Sequence, residues 1–326
     1  MRHRRQLLST LMSLALISLA GPLSSAHAQG FPDQPIKFVV PFGPGSGTDT
    51  SARYFARQLQ QLTGQPVIVE NRPGANGFIA VKNVLSAAPD GYTVFIDSNS
   101  TLAVNAALFK QLPYDPVADF SPLTMMMRSP AMLAASPQAP YNTLKELIAY
   151  AQANPGKVNF GAGSAGYQLM GELLNDAADI KTVHVPFKGA GDTITAVASN
   201  TVGYTFAEVT AVQELAKGGR VKALAVASNQ RVGTSPEVPT MSEAGLPDFE
   251  AYTWVGAMVS AKTPAGQTAK LADLFTQISK MDETREFYQR LGATPMTGGP
   301  AQMHEFQKNE IALWKRIVQK ANVPQQ

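Results

Sequence analysis

A glycine-rich segment, FVVPFGPGSGTD at residues 38–49, directly follows an apolar run and has the composition of an anion-binding loop. A Walker A phosphate loop requires G-x-x-x-x-G-K-[ST], in which the lysine contacts the phosphates and the hydroxyl binds magnesium. Thr48 and Asp49 stand in place of the lysine and the hydroxyl, and a carboxylate repels phosphate. Backbone N–H groups at a helix start would instead attract a carboxylate. The alternative is a tight strand-to-helix turn that needs glycine only for its geometry.

A second glycine-rich segment, GAGSAG at residues 161–166, matches G-x-G-x-x-G between a predicted strand and a predicted helix. Dinucleotide binding would also require an acidic residue about 20 residues further on, at the end of the next strand. The sequence there is KTVHVPF, which has no acid, and the motif lies in the middle of the chain. We therefore interpret Ser164 as a helix cap whose hydroxyl and neighbouring amides face a cleft.

Catalytic and metal-binding patterns have few candidate residues. The sequence has no cysteine, and outside the N-terminal segment its histidines are His184 and His304, far apart along the chain. These residues do not suggest a zinc site, and neither S-x-x-K nor G-x-S-x-G occurs. His184 lies in an apolar strand and is predicted to be packed, whereas His304 is predicted to be solvated. We expect no catalytic residue, no metal and no cofactor.

Two charged residues near predicted strand ends have alternative interpretations. Lys188, in PFKGAGD, could meet an anion or could simply be solvated. Glu208 follows the apolar segment YTF. If Glu208 faces the cleft, it would repel a carboxylate or hold a cationic group, so an amino-bearing or protonated ligand would be favoured over a plain dicarboxylate. Otherwise Glu208 is a surface residue.

The N-terminal residues 1–28 have the form of a secretory signal peptide. Arginines at positions 2, 4 and 5 precede an apolar stretch from Leu7 to Ala20, and Ala26-His27-Ala28 resembles a cleavage site. We expect cleavage after Ala28 and export of the mature protein. Removing the three arginines lowers the Lys and Arg count from 27 to 24, which equals the Asp and Glu count of 24. Without a basic surface, nucleic-acid binding is not expected.

Strand–turn–helix units position the glycine-rich segments. In the first unit, Ala52, Phe55, Leu59 and Leu62 recur at helical spacing, Thr48 or Asp49 can cap the helix, and Gly64 can end it. Repetition of this unit predicts an α/β fold with mainly parallel sheets. Two extended apolar segments, SPLTMMMRSPAMLAAS and FEAYTWVGAMVSAKTP, are predicted to cross between domains. We expect one lobe from residues 31–128 plus 254–326 and a second from residues 129–253, with a cleft between them.

The chain also resembles a known family. The segments that carry the resemblance are FPDQPIKFVVPFGPGSGTDTSAR, GQPVIVENRPGANG, APDGYTVFI, LPYDP, VPFKGAGD, RVKALAVAS, EVPTMSEAGLPDFEA and LGATPMTG. They are similar to those of the Bug family, the TctC-like periplasmic solute receptors of tripartite tricarboxylate transporters. The resemblance runs from about Phe31 to about Val323.

This resemblance implies a two-lobed, type II-like periplasmic binding protein fold that closes on a small carboxylated ligand. The implied partners are a dicarboxylate, an aromatic acid or an amino acid as ligand, and a large and a small membrane permease subunit, with the receptor itself a monomer. The positions that match the family's ligand-binding cleft are Phe42, Gly43, Gly45, Ser46, Gly47, Thr48, Asp49, Ser98, Gly163, Ser164, Ala165, Gly166, Gln168, Ala207 and Glu208.

Several of these positions depart from the family pattern. Gln168 stands where histidine is common, Ala207-Glu208 replaces the usual Asp-Asn, and Gly45-Ser46-Gly47 replaces three glycines. The segment GANGF also stands for the common GAGGN. These departures leave the ligand's identity open. The function predicted from the sequence is that of a carboxylate-binding transport receptor, with an orphan receptor for a signalling partner and an exported α/β enzyme as alternatives.

Overall fold

Strand–turn–helix units begin the part of the chain that the structure describes. The computed structural model describes residues 30–321 and 323–326, so the predicted signal peptide lies outside the described residues. The first elements are β1 (Ile36–Val40), α1 (Gly47–Thr63), β2 (Val67–Asn71), α2 (Phe78–Ser86), β3 (Thr93–Ser98) and α3 (Asn105–Leu108). Strand β1 pairs in parallel with both β2 and β3, as the alternation predicts.

A second set of units follows a long strand, β4 (Phe120–Ala135). It comprises α4 (Leu144–Ala153), β5 (Asn159–Ala162), α5 (Ala165–Ala177), β6 (Val183–Pro186), α6 (Ala190–Ala198), β7 (Tyr204–Glu208), α7 (Val209–Lys217) and β8 (Lys222–Val226). Strand β5 pairs in parallel with β6 and β7. The chain ends with β9 (Tyr252–Ser260), α8 (Ala265–Ser279), α9 (Asp282–Arg290), β10 (Thr294–Pro295) and α10 (Pro300–Lys320).

The expectation of mainly parallel sheets is wrong for the centre of the fold. In the described residues the strands form one mixed sheet of order β2-β1-β3-β9-β4-β7-β5-β6, with β8 and β10 also paired to β4. Strand β9 runs antiparallel to β3 and β4, and β4 runs antiparallel to β7 and β8. The two long apolar segments therefore form adjacent central strands with parallel units on either side.

Strand β4 changes its partners along its length. Its Phe120–Pro130 portion pairs with β9, and its Ala131–Ala135 portion pairs with β7 and β8. Proline lacks the N–H that a sheet requires, and the register of β4 against β9 shifts between Pro122 and Thr124. The register shift accommodates Pro122 within the strand. The segment is extended from Phe120 to Ala135, which confirms the structure predicted for it.

Helix α8 covers one part of the sheet through aromatic packing. The ring of Phe275 lies 5.6 Å from that of Phe38 on β1 and 5.7 Å from that of Phe55 on α1. Ala52 and Leu59 of the predicted apolar stripe are also buried, whereas Leu62 is 37% exposed near the end of the helix. This packing holds α1 against the sheet and so sets the position of its first turn.

Candidate functional site

The first turn of α1 follows the β1 loop and is held by a network around Asp49. Ser46, with extended backbone angles, caps the helix by accepting a hydrogen bond from the Asp49 N–H. The cap is therefore neither Thr48 nor Asp49, because the helix begins at Gly47 and both lie inside it. Gly64 ends the helix with a φ of 72°, as predicted.

The Asp49 carboxylate points into its own loop. It accepts hydrogen bonds from the Gly45 N–H at 2.9 Å, the Arg53 Nε at 3.0 Å and the Asn71 Nδ2 at 2.8 Å. Burial raises the pKa of Asp49, but the hydrogen bonds from Arg53, Gly45 and Asn71 outweigh it, so the pKa of this carboxyl is lower than usual. Asp49 thus stabilises the shape of the loop, and its carboxylate does not occupy the N–H groups at the start of α1.

The second glycine-rich loop is packed tightly against two neighbours. Ser164 caps α5 by accepting from the Tyr167 N–H, which confirms the predicted cap. A Cβ on Gly163 would overlap the carbonyl group of Gly189, which precedes α6. The Gly166 N–H donates to the Ser100 Oγ at 3.2 Å. These contacts bring the start of α5 against the start of α6 and against the turn after β3.

The end of β3 supplies a third set of polar groups. After Ser98 the chain enters a π-helical turn, Ser100–Val104. The Ser98 Oγ accepts from the Ser100 N–H at 3.2 Å. The preceding residue, Asp97, is fully buried, and its Oδ1 accepts from the Ser98 N–H at 2.6 Å. Burial raises the pKa of Asp97 well above its usual value, so the fold favours the neutral form of this carboxyl.

These three chain segments surround one cavity of about 450 Å³, a volume that includes its open mouth. The residues that line it are Phe42, Ser46, Gly47, Thr48, Ser98, Ser100, Met127, Gly163, Ser164, Tyr167, Ala190, Glu208, Thr253 and Val255. The lining of the cavity thus combines hydroxyl groups and the starts of helices with a few apolar side chains.

Glu208 is the one charged side chain among these lining residues. Its Oε1 accepts a hydrogen bond from the Gly47 N–H at 3.4 Å. Lys188 lines two clefts next to the cavity, one with Phe42 and Ser100 and the other with Ser46 and Glu208. Lys188 and Glu208 thus line one outer cleft together, whereas only Glu208 also lines the cavity.

The structure brings part of the predicted site together at the cavity. The predicted residues that line it are Phe42, Ser46, Gly47, Thr48, Ser98, Gly163, Ser164 and Glu208. Gly43 and Gly45 line an outer cleft with Lys188, and Ala165 lines the other. Gly166 contacts Ser100 behind the second loop.

Three other predicted positions point elsewhere. Asp49 stabilises the first loop, as described above. The Gln168 Oε1 accepts from the Gln326 Nε2 at 3.5 Å, near the end of the chain. Ala207 is 2% exposed and belongs to an apolar cluster with Met132 and Val212. These residues support the surroundings of the cavity without lining it.

The lining residues that sequence reasoning missed are Ser100, Met127, Tyr167, Ala190, Thr253 and Val255. Tyr167 stands three residues after the predicted cap Ser164, and that helical spacing could have indicated it. Thr253 and Val255 lie on β9, where no glycine-rich motif marks them. Their place depends on the pairing of β9 with β3 and β4.

The part of the chain that the structure describes contains neither a metal-binding cluster nor a membrane-spanning helix. Within residues 30–321 and 323–326, no group of three or more His, Asp or Glu side chains could hold a metal ion. No helix in these ranges is long and apolar enough to span a membrane. His184 is partly buried beside the ring of Phe160, and burial lowers its pKa. This is the packed histidine that its sequence context predicts.

Comparison with known proteins gives consistent matches over nearly the whole chain. Residues 51–323 match the model of the tripartite tricarboxylate transporter family receptor, TctC. Protein BugT of Bordetella pertussis is 35% identical over 309 residues, which cover 93% of this chain and 94% of BugT.

Two solved structures also match this fold over most of the chain. R. palustris Rpa4515 with adipate superposes with a TM-score of 0.86 at 29% identity, over 90% of this chain and 98% of that chain. MatC from Rhodopseudomonas palustris with bound malate superposes with a TM-score of 0.82 at 31% identity, over 88% and 100% of the two chains. These matches confirm the predicted fold class, an α/β two-lobed periplasmic binding protein. The matched family and structures are solute-binding receptors and not enzymes.

Proposed function

Since the chain belongs to the family of tripartite tricarboxylate transporter receptors, we propose that it captures a small carboxylated ligand in this cavity. It then delivers the ligand to the large and small membrane subunits of a transporter of that type. Adipate and malate, the ligands of Rpa4515 and MatC, are both small carboxylates. The predicted signal peptide and the periplasmic family support a periplasmic location.

The observation that carries the proposal is the convergence of two capped helix starts on one cavity. Helix α1 contributes Gly47 and Thr48, and the α5 turn contributes Gly163 and Ser164. The first N–H groups of a helix have no partner within the helix, and the helix dipole adds partial positive charge there. Neutral donors of this kind bind a carboxylate, as the Gly47 N–H does with Glu208, and still permit release of a ligand to a membrane partner.

We further propose that the cavity lies between the two lobes predicted from the sequence, residues 31–128 plus 254–326 and residues 129–253. The partner change of β4 after Pro130 supports a crossing at this point. Hydrogen bonds link the proposed lobes, among them those from the Gly47 N–H to Glu208, from the Gly166 N–H to Ser100 and from the Asn99 Nδ2 to the Tyr252 carbonyl. Residues Gln34–Gln326 pack as one compact unit, so the proposed lobes are in contact with each other.

Replacing Gly47 with valine is expected to abolish ligand binding without unfolding the protein. A Cβ at Gly47 would lie 3.5 Å from the Glu208 Cγ and 3.5 Å from the Met127 Cε, so the two added methyl groups would occupy the cavity. A ligand at one hundred times its dissociation constant stabilises a protein by about 2.7 kcal/mol. For a chain of this size that raises the melting temperature by about 4 °C. A thermal-shift panel of dicarboxylates, aromatic acids and amino acids measures this increase.

The matched control is Gly266→Val, in the first turn of α8, where an added Cβ meets no atom within 4 Å. We expect this variant to keep the ligand-induced shift, and Gly47→Val to lose it while its unliganded melting temperature stays close to that of the parent. A full shift in the Gly47→Val variant would show that the binding site lies elsewhere.

Delivery to a transporter is tested in cells. We expect a strain that lacks this receptor to lose high-affinity uptake of the radiolabelled acid identified in the panel. Uptake should return with the parent gene and remain absent with the Gly47→Val gene. Unchanged uptake, together with loss of a transcriptional response to the same acid, would favour the signalling role instead.

A further inference from the structure

The Glu208 carboxylate occupies the place at α1 where an anionic ligand would be expected. Glu208 is the residue at the N-cap of α7, yet its side chain caps no N–H of that helix. It extends instead to the first turn of α1, where its Oε1 accepts from the Gly47 N–H. One of the helix starts that face the cavity is thus already satisfied by a carboxylate of the protein.

A second buried group points to a ligand at the same end of the cavity. Tyr167 lines the cavity and is 5% exposed, and its hydroxyl has no hydrogen-bond partner of good geometry among the described residues. The hydroxyl lies near the Glu208 carboxylate and the Thr253 hydroxyl. Burial and the nearby Glu208 charge raise the pKa of Tyr167, so the hydroxyl stays protonated. A buried polar group of this kind normally finds a partner, which a bound ligand would provide.

Glu208 has no ion-pair partner among the described residues, and Lys188 shares only an outer cleft with it. The cavity lining contains no basic residue, and Lys188 lines only the outer clefts. When a cleft closes and water leaves, a like charge placed next to a carboxylate is strongly disfavoured and an opposite charge is favoured.

We propose that the ligand is a monocarboxylate with a second, cationic end, whose ammonium nitrogen contacts Glu208, Tyr167 and Thr253. Its carboxylate then lies toward the α5 turn and the β3 end, where Ser164 and Ser98 line the cavity. This inference rests on the proposed function and restricts its ligand from small carboxylates in general to monocarboxylates with a cationic end. Plain dicarboxylates are disfavoured because one of their ends would meet Glu208.

Isothermal titration calorimetry with matched ligand pairs tests the inference. The pairs are glutarate with 4-aminobutanoate and succinate with 3-aminopropanoate, which differ by one carboxylate replaced by an ammonium group. A panel of α-amino acids extends the comparison. We expect the parent protein to bind the amino member of a pair at least about tenfold more tightly. In Glu208→Gln, the amino acid should lose about tenfold or more in affinity and the dicarboxylate should gain.

Glutamine keeps an oxygen that can accept from the Gly47 N–H, so Glu208→Gln should fold, and its unliganded melting temperature checks this. The matched control is Glu214→Gln, which makes the same charge change at an exposed position on α7 and should leave both affinities unchanged. If the parent prefers dicarboxylates, or if Glu208→Gln leaves the ranking unchanged, this inference is wrong while the receptor function stands. If no acid of either class binds, and no aromatic acid of the thermal-shift panel binds, the proposed function is itself wrong.

Discussion

Replacing Gly163 with alanine is expected to lower both the stability and the ligand affinity of the protein. The added Cβ would overlap the carbonyl group of Gly189 and lie 2.7 Å from the Ala190 nitrogen. Because these are backbone atoms, the clash cannot be relieved by a side-chain rotation, and the starts of α5 and α6 must move apart. Overpacking of this kind costs about 1–3 kcal/mol. We expect a value near the upper limit, measured by urea denaturation.

The ligand affinity of Gly163→Ala should fall as well, because Gly163, Ser164 and Ala190 all line the cavity. The control is the glycine on the other side of the same contact. A Cβ on Gly189 would meet no atom within 4 Å, and its φ of −176° is accessible to any residue. Gly189→Ala should therefore retain stability and binding. Equal stability and equal ligand affinity of the two variants would mean that the close approach of Gly163 to Gly189 is not required.

The parts of the site that local sequence predicts are those set by short-range geometry. Ser164 as a cap and Gly64 as the end of α1 depend on a few neighbouring residues, and both predictions are confirmed. The prediction that Thr48 or Asp49 caps α1 is wrong. Ser46, Thr48 and Asp49 are all residue types that commonly cap helices, and they lie within four positions of one another. Which of them caps depends on where the backbone leaves the extended region, and in the structure that residue is Ser46.

The remaining features depend on long-range pairing that no local pattern encodes. Alternation of strands and helices does not reveal that β9 returns antiparallel between β3 and β4. Thr253 reaches the cavity because of that return, and Ser100 reaches the Gly166 N–H only because β3 ends opposite α5. The sequence likewise left open whether Glu208 faces a cleft. Its contact with Gly47, which is 161 positions away along the chain, required the folded structure.

Replacing Asp97 with asparagine is expected to stabilise the protein at neutral pH. Asp97 is fully buried, and its Oδ2 has no hydrogen-bond partner of good geometry among the described residues. Asparagine keeps an oxygen for the Ser98 N–H, and its amide can donate to the buried Thr101 hydroxyl beside it. The substitution removes the free-energy cost of burying a carboxyl group that is ionised in water at neutral pH. We expect a gain of about 2 kcal/mol or more at pH 7.

The pH dependence of stability separates this effect from simple repacking. Burial raises the pKa of Asp97 above its usual 3.8, so the folded state keeps a proton that the unfolded chain loses. The contribution of Asp97 to stability is therefore fully present below about pH 3.8 and is lost as the pH rises, by up to about 1.4 kcal/mol per pH unit. The advantage of Asp97→Asn over the parent should be small in acid and should increase toward neutral pH. Asp273→Asn, at an exposed position on α8, should follow the parent at every pH. An advantage of Asp97→Asn that is the same at pH 3.5 and pH 7 would contradict a neutral Asp97 in the folded state, since only a protonated carboxyl links folding to pH in this direction.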